Sequence, residues 1–366
     1  MSEHTRCARG EWRLGGTSLA RHRRVSRRLI SLLLAVALLA RSAGAAHAHE
    51  KWFTDPRFHP SDPSLVFSAR TAIALGIGLV ALLMLGLLQR LIGDPLWPRL
   101  SVFERMREGD VRLLAVQTAI ALIYMAVRLA LLTPHQSLPQ APLGFALAGA
   151  QLAIAFSFIT RLLDRAGAAL LILMGLVVAV LFTPLDAVQL AFYGGIAILI
   201  FVSGVAWRAD SPRPPADRPE WGQRALLVLR VLSGLAFLFI ALGDKIWNPD
   251  LGEAFLQNYP HFNVLRLAGF DVSDQNFAFI AGVIETAAGL LLMSGFLTRV
   301  VIAVLLVPFN LTVPFLPAEE MIGHLPIFGI LYVLLVNGPG RWVSSRSITR
   351  SAISSGRSSE VSSTRS

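Results

Sequence analysis

Cysteine is almost missing from this chain: Cys7 is the only one. It lies ahead of a predicted processing site after Ala48, so disulfides, thiolate metal sites and persulfide chemistry are excluded from the mature polypeptide if that cut is made. Charge is also scarce. Of 366 residues, 15% are charged and 54% hydrophobic, which excludes an ordinary soluble domain and fits a polytopic membrane protein. No dinucleotide fingerprint, haem-attachment motif or iron–sulfur spacing occurs, so the chain does not read as a self-sufficient redox enzyme. Nucleic-acid binding is excluded by where the charge lies. Residues 1–48 hold nine Arg and two Glu, and without them 24 basic residues face 21 acidic ones, so the formal +10 falls to about +3.

What is present begins with an export signal. Residues 1–48 run from an Arg-rich stretch ending at Arg28, through apolar Leu29 to Ala40, to the small-residue triplet Ala46-His47-Ala48. Cleavage there makes His49 the mature N-terminus. Retention of the segment as an uncleaved anchor is the alternative.

Nine apolar windows follow, at about 71–92, 111–133, 143–160, 166–183, 187–207, 225–243, 276–297, 300–316 and 323–337. They predict an all-α fold of nine transmembrane helices. With His49 outside, the turns after the first, third, fifth and seventh helices face the cytoplasm. Those turns hold Arg90, Arg99, Arg105 and Arg107, then Arg161 and Arg165, then Arg208, Arg213, Arg218 and Arg224, then Arg299. Loops 134–142 and 184–186 hold no Lys or Arg, and five Arg follow Gly340. This is the positive-inside pattern of a bacterial-type cytoplasmic membrane, with Ser366 inside. Lys245 and Arg266, in the long external loop 244–275, are its exceptions.

Three pairs of residues stand 134 positions apart: Gln151 and Glu285, Arg165 and Arg299, Gly204 and Gly338. Arg112 and Arg230 correspond at 118, which implies an insertion of 16 residues in the external loop of the second copy. The expected organisation is a leading segment and helix (49–110), a four-helix unit (111–208), a Pro-rich cytoplasmic linker (209–224), a second unit of the same orientation (225–343), and a Ser/Arg-rich tail (344–366) expected to be disordered.

The second unit carries the unusual chemistry. Glu285 lies inside an apolar run, where a carboxylate is costly and usually marks a site facing a bundle interior. Asp244, Lys245 and Trp247 end one helix, Asn310 lies between Pro308 and Pro314, and His324 precedes Pro326. The two prolines predict irregular backbone near Asn310. Lys245 or His324 is the natural counter-charge for Glu285. Glu285, Lys245 and His324 are thus the candidate proton-handling groups, with Asp244, Trp247 and Asn310 as candidate contacts to a bound cofactor. The competing readings are a structural Lys245–Glu285 pair, an interhelical Asn310, and interfacial anchors at Asp244 and Trp247.

The order Arg230, Gly234, Gly243-Asp244-Lys245, Glu285, Gly289, Arg299 and Gly338-Pro339-Gly340 resembles the DoxX/DoxD family of four-helix membrane proteins, over about residues 225–343. Residues 111–208 look like a diverged copy lacking the acid. The resemblance implies quinone-linked redox chemistry of the kind associated with thiosulfate:quinone oxidoreductase. The chain would be a quinone-binding membrane subunit, with a partner protein performing the other redox step.

Histidine offers a second lead. His49, His59, His135, His261 and His324 all map to the external side. A mature N-terminal His49 can chelate a metal through its amine and imidazole, and paired histidines can ligate haem without any motif. Two further function classes stay open: a transporter or channel, suggested by parallel repeats and a Pro-interrupted helix, and a non-catalytic scaffold for an external partner.

Overall fold

The computed structural model describes residues 62–92, 106–107, 109–203, 220–312 and 318–340. The candidate metal ligand His49, the expected signal, most of the expected linker and the expected tail lie outside them. The described residues are helical throughout, apart from turns and one isolated bridge between Ala130 and Ser137. The helices are α1 (Ala69–Ile92), α2 (Asp110–Val127), α3 (Pro142–Thr160), α4 (Asp164–Leu181), α5 (Pro184–Gln189), α6 (Ala191–Ser203), α7 (Glu220–Ala241), α8 (Pro249–Asn258), α9 (Val264–Leu267), α10 (Asp274–Ser294), α11 (Thr298–Thr312) and α12 (Ala318–Asn337).

Six of them are long and apolar enough to cross a membrane: α1, α2, α3, α4, α7 with its continuation to Ile246, and α10. Apolar stretches of α6, α11 and α12 are shorter. Local chemistry sets several ends. Pro142 opens α3 and Pro249 opens α8, where a missing N–H costs nothing. The Ser273 side chain accepts a bond from Asn276 N–H at the start of α10, and Gly295 closes that helix at φ 80°.

The boundaries differ from the sequence reading in four places. Window 111–133 stops being helix at Val127, because Leu129 and Leu132 take left-handed conformations and the chain turns back on itself. Arg128 therefore sits at the helix end nearest loop 134–142, a basic residue on the side expected to lack them. Window 187–207 is split at Leu190 into α5 and α6. Helix α12 begins at Ala318, so Glu319 and Glu320 belong to its first turn rather than a loop, and Pro326 lies inside it. Helix α11 continues through Pro308 to Thr312 instead of breaking near Asn310.

Helix α7 packs along α10 and α6, and α2 packs along α3 and α12. A single hydrophobic cluster runs through these contacts, from Leu114 and Leu122 to Ile196, Leu229, Leu292 and Leu331. At the α7–α10 crossing, a Cβ added to Gly234 would lie 2.7 Å from the Gly289 carbonyl oxygen. Backbone meets backbone there, the close approach that small residues permit between membrane helices. Helix α1 lies on the outside of α10, where Arg70 bonds Asn276 at 2.7 Å and stands over the Phe279 ring.

Candidate functional site

Beyond Ala241 the helix widens into one π turn, Leu242–Ile246. Such turns recur at functional sites because they redirect side chains that an α-helix would carry elsewhere. Here the turn separates two adjacent charged residues. Lys245 points to α10 and Asp244 to α5. Glycines make the space on each side: a Cβ on Gly282 would lie 2.9 Å from the Lys245 Cβ, and one on Gly243 would lie 2.9 Å from Gln189 Nε2.

On the α10 side, Lys245 Nζ donates to Glu285 Oε2 at 2.7 Å. Of the two counter-charges expected for Glu285, Lys245 and His324, it is Lys245 that meets it. An unpaired charge within an apolar span costs about 2.5–3.5 kcal/mol on insertion scales, so mutual neutralisation is the condition for keeping both. The pair is not sealed: the Lys245 side chain is 13% exposed and that of Glu285 33%. Beside it, Ile284 and Ile280 are exposed on α10.

On the α5 side, Asp244 is buried and accepts a hydrogen bond from Gln189 Nε2 at 3.1 Å, while the same amide reaches the Phe239 carbonyl at 3.2 Å. Asp244 and Gln189 line a cavity of about 30 Å³ with Thr133, His135, Tyr193 and Ile327, between the early helices and α7 and α12. At its edge His135 Nε2 lies 3.8 Å from Asp186 Oδ1.

No family model, curated protein or solved structure matches this chain.

The remaining candidates are dispersed. His324 is buried on α12, flanked by Ile322 and Leu325, which pack with Tyr124, Met125 and Ala130. It therefore belongs to the α2–α12 contact, whereas the ion pair belongs to the α7–α10 contact. Asn310 is exposed and bonds the Leu306 carbonyl of its own helix at 2.7 Å. Trp247 sets its ring edge-on to Phe239, with centroids 6.3 Å apart, and its carbonyl accepts from Asp62 N–H at 2.7 Å. The Trp247 Nε1 is buried without a hydrogen-bond partner among the described residues. No group of three or more His, Cys, Asp and Glu able to hold a metal occurs among the described residues.

Gln189 and Thr133 were missed in the sequence. Gln189 had a usable signal, since it is a polar residue inside window 187–207, as Gln151 is inside its own. Gln151 itself is fully buried and holds the loop after α2, accepting from Leu132 N–H at 2.9 Å and donating to the Ala130 carbonyl at 2.8 Å.

Proposed function

We propose that this chain is a DoxX/DoxD-like, quinone-linked subunit of a membrane oxidoreductase, built from a leading helix and two four-helix units of equal orientation. In this reading nine helices cross a bacterial-type cytoplasmic membrane after removal of residues 1–48, with His49 outside and Ser366 inside. The Lys245–Glu285 pair is the observation that carries it. A charged pair beside exposed Ile284 opens towards lipid, where a hydrophobic carrier dissolves. A quinone would supply paired electron and proton exchange. Lys245 can donate a hydrogen bond to a carbonyl oxygen, and Glu285 can accept a proton from a hydroxyl or return one. The cavity beside Asp244 is too small for such a ring, so approach from the bilayer face of α10 is the route that fits.

Two relations support the paired units. The Arg112 guanidinium donates to the carbonyls of Phe158 and Ile159, and that of Arg230 to the carbonyls of Leu292 and Met293, which are 134 positions on from the first two. The cross-contacts match as well, because α6 packs on α7 and α12 on α2.

The test is extraction of gently purified protein. A quinone should be recovered in the solvent extract, and a carbodiimide should label Glu285 more slowly when added quinone is present. A Soret band in the visible spectrum would replace quinone by histidine-ligated haem. An empty extract with unprotected labelling would end the quinone reading.

A further inference from the structure

Asp244 is a buried carboxylate that the Lys245–Glu285 pair leaves unused, and it faces the cavity described above. On the scale where one water needs about 10–15 Å³, the cavity of about 30 Å³ takes about two waters and no organic ligand. One wall calls for them: Thr133 is 6% exposed, and its Oγ1 has no hydrogen-bond partner among the described residues. A buried hydroxyl left in that state is destabilising, and water bonded to it removes the cost. At the far edge stands His135, beside Asp186, which also accepts from Thr183 Oγ1 at 2.6 Å. The Asp186 side chain is 15% exposed and neighbouring Thr183 is exposed, so this edge reaches the surface.

We propose that the cavity is a hydrated proton passage linking buried Asp244, through waters held by Thr133, to His135 and the Asp186 rim. Transfer needs no electrons and no co-reactant. The Asp244 carboxyl releases one proton to the water chain, the chain passes one to the His135 imidazole, and the imidazolium passes one to Asp186 or bulk water. The other ionisable groups around the cavity are Tyr193 on α6, His324 on α12, and Lys245 with Glu285 beyond the π turn. No Lys or Arg is among the cavity's lining residues, so nothing in the wall repels a moving proton. Asp244 and Lys245 leave the π turn towards different helices, so the passage is a proton route separate from the ion pair. It rests on the membrane reading above but not on quinone binding.

The test is infrared spectroscopy of the protein in lipid nanodiscs, following deuterium exchange at a protonated aspartate C=O band. The band should vanish in Asp244→Asn. If that variant does not accumulate, Asp244→Glu should shift the band and assign it. Thr133→Val, which removes the hydroxyl that holds the water, and His135→Gln, which keeps an amide partner but cannot carry the proton, should each slow its exchange by about tenfold or more. Thr133→Ser, which keeps the hydroxyl, and Gln140→Ala, in the exposed part of the same loop, should exchange like wild type. Absence of any Asp244 band over the pH range in which the protein stays folded would overturn the passage. Unchanged exchange in Thr133→Val and His135→Gln would do the same. Both readouts are independent of whether a quinone is found.

Discussion

Arg112 and Arg230 grip corresponding helix ends: the Arg112 guanidinium donates to the Phe158 and Ile159 carbonyls of α3 through Nη1 and Nη2, and that of Arg230 donates to the Leu292 and Met293 carbonyls of α10 through Nη1, while its Nε holds the Pro339 carbonyl at 2.8 Å. These carbonyls lie in last turns, which an α-helix leaves without their full complement of intrahelical bonds, although Leu292 also accepts from the Gly295 N–H at 3.2 Å. A charged planar fork is well suited to the task. Arg165 and Arg299 are related more loosely, since Arg165 stands over the Phe201 ring and Arg299 bonds the carbonyl of Leu335, 134 positions later.

If the two arginines do equivalent work, Arg112→Ala and Arg230→Ala should both destabilise the protein, Arg230→Ala by at least as much because Arg230 also holds the Pro339 carbonyl. Hydrogen bonds to a charged group contribute about 1.5–3 kcal/mol, so each variant should unfold at clearly lower temperature in a detergent melt. Lysine should rescue only in part, because one ammonium cannot replace the two nitrogens that Arg112 uses, nor hold Pro339 together with the end of α10 as Arg230 does. A large loss for one variant and none for the other would break the equivalence.

Much of the architecture was readable because apolar runs translate directly into helices, and each of the nine windows overlaps one. The Lys245–Glu285 contact was readable for a related reason: a carboxylate inside an apolar run requires a cation, and Lys245 is one of only two lysines in the chain. Directions were harder. Adjacent Asp244 and Lys245 face different neighbours because of a π turn that leaves no pattern in hydropathy. His324 was expected on the same membrane side as the pair, but side alone says nothing about which helix α12 packs on. Asn310 looked irregular from its flanking prolines, yet α11 runs past Pro308 and the amide bonds its own helix.

Asn310 therefore gives a prediction opposite to the sequence expectation. Its amide serves the Leu306 carbonyl, already within its own helix, and the side chain is exposed. Asn310→Leu should change stability by no more than about 0.5 kcal/mol, the usual range for surface substitutions away from special features. Quinone retention, measured in the same extract as wild type, should be unaltered. Loss of quinone from this variant alone would return Asn310 to the site.

The orientation can be read with single cysteines on a Cys7→Ser background. His261 lies exposed in the segment between α8 and α10, and Arg213 belongs to the Pro-rich stretch 209–224 of the sequence, outside the described residues. In intact cells, His261→Cys should react with a membrane-impermeant maleimide and Arg213→Cys should react only after permeabilisation. The reverse pattern would invert the topology and place Lys245 and Arg266 on the cytoplasmic side.

The Lys245–Glu285 pair is best tested by removing its members singly and together. Glu285→Gln leaves the Lys245 ammonium without its carboxylate. Breaking a buried pair from one side costs about 3–5 kcal/mol, and the cost here should be smaller because the Glu285 side chain is one third exposed. Folding yield should therefore fall in Glu285→Gln and recover in the Lys245→Met/Glu285→Gln double variant, where no charge is left to solvate. Activity should not recover with it. Loss of a positioned acid–base group lowers a proton-coupled step by about a hundredfold or more, so quinone-linked turnover of the assembled complex should stay low in the double variant. Asp250→Asn, at an exposed position in the first turn of α8, should keep both yield and turnover. A double variant with full turnover would make the pair a cross-link between α7 and α10 and nothing more.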